Sequence, residues 1–282
     1  MAHEILLQQI VEQLKNVQGL KAIVLGGSYA SNAQRPDSDL DIGLYYIADQ
    51  GLDIEHVRSI VRALNDFTDP VVTDLGGWGT WVNGGAWLTI QDQRVDFLYR
   101  DLSFVASTIE DCCNGKVTSD YWQQPAYGFH NFMYCTETNI CRPLYDPEHV
   151  IEILKAKVAL YPPLLRQVIS KNFLWSAKFT IENTVKAAVR GEVYLVTGAL
   201  ARTIHCLVQV LYALNETYYL SEKKLAADID SFAIKPDNFL ARIYTVLGAT
   251  GTTSVRLQAS QIETQKLHDE IAALVEQTFV HQ

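Results

Sequence analysis

Positive charge is scarce in this chain of 282 residues, where 23 Lys and Arg stand against 32 Asp and Glu for a formal net charge of −9. A protein that grips a long nucleic acid needs clustered cations to neutralise phosphates and release counterions, so no such partner is expected. An acidic surface instead tolerates a small cationic acceptor. The five cysteines are odd in number and include no C-x-x-C pair, which excludes a zinc knuckle or dithiol redox motif. His130 lies near Cys135 and Cys141, but the spacing fits no zinc pattern. The expectation is free thiols in a reducing cytoplasm. Residues 1–17 weave Glu4, Glu12 and Lys15 into an amphipathic period, which reads as a helix and not as a signal peptide. The longest apolar stretch, 193–214, is broken by Arg202, His205 and Gln209, so it reads as a buried helix and no membrane partner is expected. Internal repeats and low-complexity tracts are absent, and the sequon Asn215-Glu216-Thr217 carries no weight without a secretory signal. No G-x-x-x-x-G-K-[ST] loop occurs, and Gly77-Trp78-Gly79 lacks the third glycine of a dinucleotide fingerprint.

What is present is enough apolar residue, 48% of the chain, to build real cores in two domains of ordinary size. Helical periods cover 4–17, 53–67 and 101–114, and strands are expected over 21–26, 40–46, 86–90 and 94–99. A Gly- and Trp-rich stretch spans 74–85, and a turn-prone stretch runs through Pro125 and Gly128. From about residue 148 the period is helical almost throughout, over 148–160, 163–190, 192–216, 236–247 and 256–279. Pro162-Pro163, Gly191 and Gly251 punctuate those helices. The expected fold is α+β, with a small mixed-sheet domain over 1–115 followed by an α-helical bundle over 116–282.

The chemistry is concentrated in Gly26-Gly27-Ser28 and, ten residues on, Asp39-Leu40-Asp41. The first strand ends at two glycines, whose backbone can approach a phosphate closely, and Ser28 adds a hydroxyl donor where a short helix is expected to begin. Asp39 and Asp41 are two apart on a strand, so both carboxylates share one face. Two bare carboxylates side by side are unfavourable unless a cation sits between them, and a hard divalent ion with oxygen ligands such as Mg²⁺ resolves the repulsion. A third acid, Asp96, is alone on the strand 94–99, and antiparallel or neighbouring pairing with 40–46 would bring it beside the other two. Three carboxylates around two metal ions form a clamp for in-line displacement at phosphorus.

In this order and spacing, Gly27, Ser28, Asp39, Asp41 and Asp96 resemble the nucleotidyltransferase superfamily typified by DNA polymerase beta and kanamycin nucleotidyltransferase. The resemblance covers roughly the first hundred residues. The helical remainder is similar in kind to the bundles of antibiotic nucleotidyltransferases, in an uncharacterised bacterial branch carried by Gly198-Ala199-Leu200-Ala201-Arg202 and Ala213-Leu214-Asn215. It implies transfer of a nucleoside monophosphate from an NTP, with ATP the default, to a hydroxyl acceptor, with release of pyrophosphate. On this analogy Gly27 and Ser28 hold phosphates and Asp39 and Asp41 bind two Mg²⁺ ions. Asp96 binds the catalytic ion or orients the acceptor hydroxyl. The relatives also raise two alternatives, protein nucleotidylation of the antitoxin kind and a catalytically silent binding module, and homodimer formation is left open.

Other residues admit a plainer reading beside the functional one. Lys178, Glu182 and Lys186 form a helical stripe that is either a solvated ion-pair ladder or a cleft face with Glu182 as general base. Lys223 and Lys224 are either exposed lysines or phosphate contacts, Lys223 being the candidate. Arg202 and His205 read as paired core groups, since two intervening residues do not match the R-x4-x-H motif of helical nucleic-acid-cleaving toxins. Trp78, Trp81 and Trp87 read as core or lid residues ahead of a base-stacking role. Asp37 and Asp74 read as turn acids.

Overall fold

The computed structural model describes residues 2–123 and 126–280; Pro125 of the turn-prone stretch lies outside them. In chain order the helices are α1 (Ala2–Leu14), α2 (Gly27–Ala30), α3 (Ile54–Leu64), α4 (Gly79–Val82), α5 (Leu102–Cys113), α6 (Met133–Ile140) and α7 (Val150–Val158). They continue with α8 (Pro163–Glu182), α9 (Val185–Arg190), α10 (Val193–Leu214), α11 (Leu225–Ser231), α12 (Phe239–Ala249) and α13 (Ser254–Val280). The strands are β1 (Leu20–Leu25), β2 (Leu40–Tyr46), β3 (Val71–Val72), β4 (Gly85–Ile90), β5 (Gln93–Asp101), β6 (Ser119–Asp120), β7 (Phe129–His130) and β8 (Arg142–Tyr145). The chain divides into two compact units, 1–112 with 118–160 and 113–117 with 161–282. The mixed α+β class is as the sequence implies. The break expected between 115 and 116 instead falls at 160/161, because β8 hydrogen-bonds to β1 and draws the segment before it into the first unit.

The first unit is built on a six-stranded sheet in the order β3-β4-β5-β2-β1-β8. Its central pair, β2 and β5, runs parallel, while β1–β2, β4–β5 and β1–β8 are antiparallel. The β4–β5 hairpin turns through Gln91 and Asp92, both at positive φ, as a two-residue hairpin of this twist requires. Alternation then sorts the side chains. Leu40, Ile42 and Leu44 of β2, with Val95, Phe97 and Tyr99 of β5, point to a core shared with Leu6, Ile10 and Leu14 of α1 and Val57 and Val61 of α3. Asp41 and Asp96 therefore point to the opposite face. That face is covered further along by an aromatic group in which Trp81 packs against Phe104, Phe129 and Tyr134.

In the second unit α10 lies along α8 and α13. By length and composition α10 could cross a membrane, but it is the core helix of this unit, its residues from Thr203 to Leu214 all buried. His205 is buried between the rings of Phe173 and Tyr219 as a packing group, whereas Arg202, expected in the core with it, is exposed and donates to Ser176 Oγ. The helix expected over 163–190 is two helices. At the break the Asn183 N–H still reaches Phe179 O, but the Thr184 N–H turns to Ile181 O, an i→i−3 bond that tightens the last turn and ends α8.

Candidate active site

Asp41 is the hub. Its carbonyl accepts the Gly26 N–H at 2.8 Å, which fixes the start of the glycine turn to β2. Gly27 follows with φ +56, and a Cβ there would lie 1.7 Å from Asp41 Oδ2. Only a residue without a side chain lets this carboxylate rest against the turn, so Gly27 and Asp41 are sterically interlocked. The helix after the glycines is shorter than the sequence suggests. α2 is a single turn whose first bond is Ala30 N–H to Gly26 O. The amides of Gly27, Ser28 and Tyr29 come before that bond and have no carbonyl within the turn to receive them. What this end of the site offers is a set of backbone donors beside a half-buried Ser28, not the dipole of a long helix.

Parallel pairing sets Asp96 directly beside Asp41, and antiparallel pairing sets Trp87 directly beside Asp96. Register partners point the same way, so Gly27, Asp41, Asp96 and Trp87 form one row across the sheet face. Asp39 precedes β2, and its Oδ1 is 3.2 Å from Arg94 Nε. No donor reaches that buried oxygen in hydrogen-bonding geometry, so it keeps acceptor capacity. Gln93 Nε2 donates to Ser38 O and ties the start of β5 to the segment carrying Asp39.

Among the described residues, no three His, Cys, Asp or Glu side chains are gathered closely enough to hold a metal ion as they stand. Like charges repel without a cation between them, and Asp39 turns its charge to Arg94. The donor set nevertheless fits a hard divalent cation: all ligand atoms are carboxylate oxygens, two carboxylates are register partners, and Asp39 Oδ1 has no hydrogen-bond donor.

Burial, and secondarily the charge of Asp39, raise the Asp96 carboxyl above the ordinary aspartate value of 3.8, with Arg94 opposing. A carboxyl raised in the folded state destabilises the fold once ionised. The cost is absent below the unfolded value and grows as pH rises through the folded one. Metal-free Asp96→Asn is therefore expected to melt above the wild type at pH 7, with the gap closing as pH falls towards 3.8. A gap that does not change with pH would show that the charge of Asp96 is not what strains this face.

The remaining sequence candidates are not members of this row. Glu182 is the last residue of α8 and Lys223 lies in a 3₁₀ turn over Glu222–Lys224; both are exposed and both belong to the second unit. Lys178 and Lys186 are exposed too. Asp37 is exposed, and Asp74 pairs with Arg58. His130 is buried, with Ser119 Oγ 2.7 Å from its Nδ1, and burial lowers its pKa to about 4, so it is a neutral packing group. Two features escaped the sequence reading. Arg94 as the partner of Asp39 needed the strand register. Trp87, read as core or lid, is 54% exposed and stacks on Trp78 at a centroid distance of 5.0 Å.

Residues 7–70 match the family model described as Nucleotidyltransferase domain, a span that holds Gly27, Ser28, Asp39 and Asp41 but ends before Asp96. No curated protein matches the chain. Among solved structures, a nucleotidyltransferase-like protein from Exiguobacterium sibiricum 255-15 is 10% identical with a TM-score of 0.50, over 99% of this chain and 79% of that one. An aminoglycoside 6-adenyltransferase from Bacillus subtilis is 8% identical with a TM-score of 0.33, over 98% of this chain and 91% of that one.

Proposed function

We propose that this chain, which belongs to the nucleotidyltransferase superfamily through its N-terminal domain, transfers a nucleoside monophosphate from an NTP to a hydroxyl of a small acceptor. The observation that carries the reading is the row in which the Gly27 turn, Asp41 and Asp96 adjoin one another, an anion-accepting end next to paired carboxylates. The acceptor oxygen forms a bond to the α-phosphorus, the α–β P–O bond breaks, and its electron pair leaves on pyrophosphate. The amides at Gly27 and Ser28 hold the departing phosphates. Asp39 and Asp41 would hold two Mg²⁺ ions, with Asp96 on the one nearer the acceptor. Bound Mg²⁺ would neutralise the triphosphate and make the acceptor hydroxyl more acidic. Asp96 orients that hydroxyl and receives its proton. ATP is the default donor. Glu182 and Lys223 are not needed for this scheme, which rests on first-unit residues. The five cysteines are free thiols, in keeping with a cytoplasmic protein.

The test is label transfer from α-³²P-ATP, and then from the other three NTPs, with Mg²⁺ and a host metabolite extract or total host protein as acceptor. A labelled small molecule is expected. Label on a protein band would move the acceptor class to protein, and no transfer from any NTP despite Mg²⁺-NTP binding would leave a binding module.

A further inference from the structure

Beyond Asp96 the row ends in carbon. Trp87 is paired with Asp96 on one side and with Val71 of β3 on the other. Together with Phe67 and Pro70 these side chains wall a cleft of about 430 Å³ that opens onto Asp96 and Arg94. Phe67 is 65% exposed, Trp87 54% and Val71 46%, an unusual density of uncovered apolar surface for one edge of a small sheet. Trp87 is not loose, since Trp78 stacks behind it. Asn65 braces the floor of the cleft by accepting from Thr89 N–H and donating to Phe67 O, both at 2.7 Å.

We propose that this cleft receives the acceptor, and that the acceptor carries a flat apolar or aromatic ring next to its reactive hydroxyl. The proposal rests on the nucleotidyl-transfer reading and adds the acceptor's chemistry to it. In an in-line displacement the attacking oxygen and the leaving pyrophosphate lie on opposite sides of the α-phosphorus. The amides that suit pyrophosphate are at the Gly27–Ser28 end, so the attacking oxygen comes from the other end of the row, past Asp96. There the chain offers an indole face, a phenyl ring and a valine. Sugars and aryl rings stack on such a surface, whereas a polyamine would lose hydration against it.

The test pairs two variants with two probes. 2-Naphthyl β-D-glucoside carries both hydroxyls and an aryl ring, and glucose carries the hydroxyls alone. With Mg²⁺ and a non-hydrolysable ATP analogue, calorimetric titration should show the naphthyl glucoside binding at least tenfold more tightly than glucose. Trp87→Ala should remove that preference and Trp87→Phe should retain most of it, with the affinity for the ATP analogue unchanged in both. Equal binding of the two probes to the wild type, or an aryl preference that survives in Trp87→Ala, overturns the proposal. So does weakened ATP-analogue binding in Trp87→Ala with acceptor binding intact, which would make the wall a nucleobase platform. These titrations need no turnover, so the absence of label transfer from every NTP would count against the catalytic reading without deciding what the cleft binds.

Discussion

Asp41→Asn is expected to lower nucleotidyl transfer on the order of a thousandfold or more, at the yield and fold of the wild type. The substitution keeps the shape of the side chain and removes its charge. The Gly26 N–H reaches the Asp41 carbonyl, and the β2–β5 pairing uses backbone groups, so neither depends on the carboxylate. What is lost is an oxygen donor at the centre of the row, next to Asp96 and against the Gly27 turn. Label-transfer rates beside a circular-dichroism spectrum and melting curve would check it. A variant that is folded and transfers label at the wild-type rate would show that the chemistry is elsewhere in the molecule.

The second large effect is on stability. Arg100, 5% exposed, projects from the same sheet face as Asp96 and makes a two-pronged pair with Glu137 of α6, at 3.0 and 3.1 Å. A third nitrogen donates to the carbonyls of Val82 and Tyr99. Removing Glu137 leaves a guanidinium that stays charged in any accessible pH range, enclosed and without its counterion. Glu137→Ala is expected to cost about 3 kcal/mol, towards the lower end for breaking a buried pair because the carboxylate itself keeps some water contact. For a unit of this size that is a fall of roughly 6–12 °C in melting temperature. Arg100→Met combined with Glu137→Leu should recover most of it, because no unpaired charge remains. A single variant that melts with the wild type would show that water solvates Arg100 in the pair's absence.

The parts of the site that could be read from the chain are those that depend on local rules. The strand ending at Gly26-Gly27, the alternation that sends Asp39 and Asp41 to one face, and the hairpin around Gln91-Asp92 each follow from neighbours in sequence. Asp96 was recognisable as the only acid in the stretch 94–99. That β5 joins β2 in parallel, with Asp96 opposite Asp41, depends on how the segment between them crosses the sheet, which no local pattern encodes. The same holds for Trp87, whose exposure is decided by what lies beside β4 and not by its own apolar character. β3 and β8 are only two and four residues long, too short for a period to show, and they owe their conformation to the edges they extend. In the second unit, the period foretold helix almost everywhere but not the break at Asn183-Thr184, where the backbone tightens to an i→i−3 bond.

The parallel join of β2 and β5 also governs when the site comes into being. A two-residue hairpin such as β4–β5 closes within microseconds, and the Gly26–Asp41 contact spans a short loop. Bringing Asp96 to Asp41 instead requires closing the long crossover through α3 and β3, and the entropy of that closure precedes any reward from the pairing. A ribosome must therefore release both strands before the three carboxylates proposed to hold Mg²⁺ can meet. On the proposed metal assignment, divalent-ion protection against proteolysis would begin only once β2 and β5 have both emerged and paired, that is, once the chain beyond Asp101 has left the ribosome.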